Sequence, residues 1–265
     1  MKQNRNDEML ELLRAEVQFR YEPQFAWKSS VSQFLALLGL RGFWPTSSVS
    51  GGGSLMDLSG QNRILTLNGG PFYRRSNLAP VVVLDGAADF FTRADEAGLD
   101  ITGTESYIVA TRRGLTLGGW FNFTNVAGAT EHMMGKWDQA GNQRSYSLRR
   151  NAAGNIVFAI STDGTAVVEI ASTDMPAQAT WFWAAGRFDA ATQELDVWVN
   201  DAVDNLAVGV PASIHIGTAD LVLGGRHGGL SLMAGMFSMP VLCAASLPDA
   251  IEGQTYQQSR AMFGV

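Results

Sequence analysis

A single cysteine in 265 residues leaves no internal disulfide to form, and Cys243 sits in the apolar run Met239 to Ala245, where a buried, inert thiol is expected. Basic clusters are as scarce. The formal charge is −6, and the dense basic spots are Arg74-Arg75, Arg112-Arg113 and Arg149-Arg150, each read as a solvated strand end. Phosphate contacts need clustered Lys and Arg, so nucleic acid is excluded as a partner.

Long apolar segments are missing too. Met1 to Arg20 carries four basic and four acidic side chains around no apolar core, and no later run is long enough to span a bilayer. Synthesis in the cytosol without membrane insertion is the expectation. Histidine is rare: His132, His215 and His227 are scattered, and neither G-x-S-x-G nor H-E-x-x-H occurs. Nucleophilic and zinc chemistry therefore lack sequence support, and His132 and His227 read as loop histidines.

Glycine, by contrast, is abundant, with 29 residues in a chain that is 46% hydrophobic, so turns are frequent and the core is large. Short runs rich in aromatic and β-branched residues alternate with Gly, Asn and Asp. Gly114 to Phe123, Trp181 to Asp189 and Leu195 to Asn200 are the clearest strands, with Val81 to Leu84, Ser145 to Arg149, Ile156 to Ser161 and Ala166 to Ile170 beside them. Asp163-Gly164 reads as a hairpin turn. Leu221 to Gly225, Leu232 to Phe237 and Met239 to Ala244 are predicted as closing strands, and a helix is predicted from Pro248 to about Phe263. Pro248 suits its first turn, Asp249 and Glu252 suit the positive end of its dipole, and Gly264 stops it.

The beginning of the chain is different in character. Met9, Leu10, Leu13 and Val17 recur at helical spacing, and Phe25 to Leu40 is apolar enough for a second helix or strap. Residues 1–38 exceed the needs of one sandwich. They are expected to form a docking or oligomerisation arm, with residues 39–265 forming one domain that includes the C-terminal helix.

The order Leu40-Arg41-Gly42-Phe43-Trp44-Pro45, Asp57-Leu58-Ser59-Gly60, Val83-Leu84-Asp85-Gly86, Leu117-Gly118-Gly119-Trp120 and Met134-Gly135-Lys136-Trp137-Asp138 resembles the laminin-G-like, concanavalin-A-like jelly-roll family. Trp181 to Asp189, Leu195 to Asp201 and Leu247 to Gln254 continue that order. The resemblance implies an all-β jelly-roll sandwich with an N-terminal arm and a short C-terminal helix. In detail the chain is similar to jelly-roll proteins encoded among virion genes of tailed bacteriophages. That implies a structural protein of the virion surface, assembled in the host cytoplasm, with capsid or tail proteins and further copies of itself as partners. The alternative it implies is a tail receptor-binding protein that recognises a host surface glycan.

Candidate site residues follow from this frame. Jelly rolls of this kind often bind calcium through loop Asp and Asn oxygens, and Asp138 with Asn142, or Asp85 with Asp89, could contribute. On the strand Leu195 to Asn200, alternation sets Asp196, Trp198 and Asn200 on one face, where Trp198 could stack on a sugar ring or a partner subunit. The plainer reading puts Trp198 beneath a loop or the arm, while Trp44, Trp120 and Trp181 read as core. Some glycoside hydrolases of this fold carry Glu-x-Asp-x-x-Glu on one strand, and Glu194-Leu195-Asp196 begins that pattern. Trp198 or Val199 then stands where the acid belongs, so no catalysis is expected.

Overall fold

The computed structural model describes residues 39–46, 53–76, 79–105, 112–125 and 127–265. Its strands run, in chain order, β1 (Leu40–Phe43), β2 (Thr66–Asn68), β3 (Phe72–Ser76), β4 (Ala79–Asp85), β5 (Phe90–Arg93), β6 (Gly114–Phe123), β7 (Glu131–Asp138) and β8 (Gln143–Arg150). They continue with β9 (Ile156–Ser161), β10 (Val167–Ala171), β11 (Phe182–Asp189), β12 (Glu194–Val199), β13 (Ala202–Leu206), β14 (Leu221–Leu223) and β15 (Ala234–Cys243), before one α-helix, α1 (Asp249–Ser259). The predicted arm, with Met9, Leu10, Leu13 and Val17, lies outside the described residues.

All pairings are antiparallel, and they build two sheets. The first has the order β13-β12-β11-β6-β15-β4-β3 with β1 also on β15, and the second β10-β9-β8-β7-β14-β5-β2. Their inner faces share one core. Leu115, Leu117, Phe121 and Phe123 of β6 meet Tyr146 and Leu148 of β8 and Phe158 of β9 there. Between the sheets, a Cβ on Gly186 would come within 2.4 Å of the Phe158 ring, so only glycine lets that ring lie against β11.

Strand β6 is buried along its whole length, which half-buried alternation does not allow. A second layer on its outer face explains this. Trp120 of β6, Trp183 of β11 and Trp198 of β12 form one cluster with Tyr256 and Phe263 from the C-terminal segment. Trp120 stacks on Phe263 at 4.3 Å between ring centroids and donates its indole Nε1–H to Ser259 Oγ at 2.9 Å. Tryptophan is tolerated there because its apolar face packs while its N–H finds an acceptor.

Two predicted closing strands prove to be one. Leu232 to Phe237 and Met239 to Ala244 merge into β15, which bulges between Ser238 and Val241 with Met239 at φ 53°. The bulge lets one strand pair with β4 through its first half and with β1 through its second. Arg150 is also not a solvated strand end. It lies 3.9 Å over the Phe123 ring and pairs with Glu131, the two side chains only 4% and 5% exposed. Lys136 is likewise fully buried, held by Asp95 and Asp100.

Candidate functional site

The residues singled out on β12 are occupied with the fold itself. Trp198 is 3% exposed inside the aromatic cluster beneath α1, with the Arg187 guanidinium 4.8 Å from its ring centroid. Asp196 accepts from Arg187 Nε at 2.7 Å and from Asn205 Nδ2 at 2.6 Å. Asn200 sits at φ 60° and accepts from the Trp183 main-chain N–H at 3.1 Å. Burial agrees with the plainer reading of a packed Trp198 and not with a surface contact: its polar neighbours bond within the sheet, and the ring joins the cluster that Tyr256 and Phe263 share.

The loop carboxylates are similarly engaged. Asp138 Oδ1 accepts from the main-chain N–H groups of Ala140 and Gly141, each at 3.0 Å, and Asn142 closes the same hairpin at φ 55°. Asp85 Oδ1 accepts from Ala87, Ala88 and Asp89, bonds that hold its carboxyl below the usual carboxylate range. Among the described residues no three His, Cys, Asp or Glu gather as metal ligands.

A different place collects chemistry. Above β7, β8 and β10, on the outer face of the second sheet, lies a groove of about 330 Å³ lined by Trp137, Arg144, Arg149, Glu169, Arg226 and His132. Strand pairing positions the first of these. His132 stands opposite Arg149, and a bulge between Lys136 and Trp137 sets Trp137 opposite Arg144. The extra residue is Ser145 of β8, and it brings Arg144 opposite Trp137, while the Arg149 guanidinium lies 5.7 Å from that ring's centroid. Glu169 reaches Arg149 from β10, and Arg226 enters from the turn after β14, its Nη1 donating to Gln139 Oε1 at 3.2 Å.

His132 forms part of the groove's base rather than a loop. It is 4% exposed and shares a 2.8 Å hydrogen bond with Ser147 Oγ through Nδ1. Burial, followed by the positive fields of Arg149 and Arg226, pushes its pKa down to about 3, so the ring is neutral at ordinary pH. Sequence reasoning did not find this groove. Its legible trace is Ser145-Tyr146-Ser147-Leu148-Arg149, where polar residues alternate with core residues, but Arg226 comes from a distant turn.

Residues 97–241 match the laminin G model described as the concanavalin A-like lectin/glucanases superfamily, and the chain belongs to that family. Among solved structures it is similar to the binding domain of Paraclostridial Mosquitocidal Protein 1, with TM-score 0.64 and 10% identity over 83% of this chain and 52% of that one. It is also similar to the binding domain of botulinum neurotoxin DC in complex with SialylT, with TM-score 0.61 and 11% identity over 84% and 52%. The same domain in complex with rat synaptotagmin II gives 0.61 and 12% over 83% and 51%. The likeness is one of fold, and the chain spans about half the length of these binding domains. No curated protein matches the sequence.

Proposed function

We propose that the protein is a non-catalytic binding module of a phage virion surface that takes carbohydrate in the groove over β7 and β8. One observation carries the carbohydrate reading: the groove joins an indole, hydroxyl and amide side chains, and guanidinium groups, but holds a single carboxylate, Glu169, already paired with Arg149. Glycoside hydrolysis needs two carboxyl groups flanking the bond. The Glu194 and Asp196 pair offers no substitute, because Asp196 is 2% exposed and bonded to Arg187 and Asn205.

The virion placement rests on the similarity of the Leu40 to Pro45, Asp57 to Gly60 and Val83 to Gly86 segments to phage jelly-roll proteins. Residues 1–38 then serve as the docking arm, and repeated surface positions favour a homo-oligomer, with a trimer first. The test combines two measurements on host-envelope polysaccharide: binding by the purified protein, and release of reducing ends. Binding without release supports the module; release of oligosaccharides overturns it.

A further inference from the structure

We infer that this groove selects an acidic sugar, holding its carboxylate or sulfate on the guanidinium groups of Arg149, Arg226 and Arg144; the inference rests on the carbohydrate reading above. Charge is the starting point. The chain carries a formal −6, yet the groove sets three arginines against one glutamate and no other ionised side chain. A local excess of positive charge on an acidic protein concentrates anions where the wall excludes water.

The arginines are short of anionic partners. Arg144 donates only to main-chain carbonyls, those of Thr165 at 2.9 Å and Gly164 at 3.1 Å from Nη1 and that of Gln139 at 3.4 Å from Nη2, which leave its charge uncompensated. Arg226 donates to the neutral amide of Gln139, and its Nε is buried without an acceptor. Arg149 has one carboxylate, on a Glu169 side chain that is 49% exposed and so screened by water, while its Nη1 is buried with no acceptor. Guanidinium groups short of acceptors and counter-charge are costly, and an anion in the groove offsets their charge through the N–H groups that face it.

His132 lies within the field of two of these arginines. Both Arg149 and Arg226 act on the imidazole in the direction that disfavours its protonated form, so the two guanidinium groups converge on the same part of the groove. A planar guanidinium matches the geometry of a carboxylate or sulfate, forming paired hydrogen bonds that an ammonium would not. The volume of about 330 Å³ fits one or two sugar rings; Gln139 offers an amide for the ring hydroxyls, and Trp137, 5% exposed, presents only the rim of its indole.

The experiment measures binding of polygalacturonate, dextran sulfate and neutral dextran by the full chain and by Arg226→Gln, Glu169→Gln and Trp137→Ala variants, with single-stranded DNA as a fourth probe. At least one acidic polymer is expected to bind about tenfold more tightly than dextran. Arg226→Gln should weaken that binding about tenfold, and Glu169→Gln should tighten it, a gain that a damaged fold could not produce. Preference between polygalacturonate and dextran sulfate identifies carboxylate or sulfate as the group held. Dextran binding as tight as the acidic polymers, acidic binding indifferent to Arg226→Gln, or DNA binding equal to that of the sugars overturns the inference. Neutral binding lost in Trp137→Ala would overturn it while leaving the carbohydrate reading intact, whereas absence of binding to every saccharide overturns both.

Discussion

Trp183 donates its indole Nε1–H to Glu252 Oε2 at 3.3 Å, a buried bond that ties the start of β11 to the first turn of α1. Glu252 does stand in the first turn, where an acidic residue suits the dipole, but it is buried there. It is 3% exposed, and burial raises its pKa to about 7 against the opposing pull of Trp183 and Arg187. The helix lies on an aromatic layer at the cost of burying a carboxyl group.

A pH dependence with a definite sign follows. Because the folded pKa lies above the unfolded value near 4.5, this group's contribution is complete below pH 4.5 and is lost as pH rises through about 7. Glu252→Gln should therefore gain stability relative to the parent across that window, by an amount on the order of 2–3 kcal/mol at pH 8. Thermal or urea melts of both proteins at pH 5 and pH 8 check this. An unchanged difference between the two pH values would be incompatible with a buried, raised carboxyl.

Trp198 should behave as a packing residue. Removing its ring beneath α1 leaves a cavity, so Trp198→Ala is expected to cost about 3–5 kcal/mol in denaturant melts. Saccharide binding of the folded fraction should be retained, whereas Trp137→Ala, which removes a ring that is itself only 5% exposed, should lower both stability and binding.

How much of this was legible in the sequence differs by element. Ile156–Ser161 and the start of α1 after Pro248 are read correctly because each has its own punctuation, an Asn-rich turn before one and a proline before the other. The jelly-roll class follows from the order of such strands. The face of Trp198 was legible, opposite Leu195, Val197 and Val199, but its cover was not, because alternation separates two faces without saying which element covers the outer one. Asp196 and Asn200 read as polar neighbours of a candidate contact, although Arg187 and Asn205 for the first and the Trp183 main-chain N–H for the second satisfy them inside the sheet. Arg149 and Arg150 illustrate the same point: adjacent in sequence, they point to opposite sides of β8, one into the groove and one onto Phe123.

The Arg150 and Glu131 pair gives a further prediction. Glu131 also accepts from the Ala234 main-chain N–H at 2.9 Å and from Asn125 Nδ2 at 3.1 Å, so Glu131→Gln leaves a buried guanidinium without its counter-charge. A loss of about 3–5 kcal/mol is expected. Equilibrium urea unfolding measures it, and a change under 1 kcal/mol, roughly the worth of an exposed pair, would mean that water reaches Arg150.

His132 predicts acid sensitivity. Its folded pKa of about 3 lies below the unfolded value near 6.5, so its contribution is present above pH 6.5 and is lost as pH falls toward 3. Chemical shifts of the imidazole should show it neutral at pH 5. A ring that titrates near 6 would place it in solvent and dissolve the base of the groove.

The central claim is that carbohydrate binds over β7 and β8, and amide and indole chemical-shift mapping during titration with an acidic oligosaccharide tests it most directly. The account predicts saturable shifts at the Trp137 indole and at Arg144, Arg149 and Arg226, with the Trp120, Trp183 and Trp198 indoles unmoved. Shifts confined to the α1 face, or to the loops around Asp85 and Asp163, would contradict it.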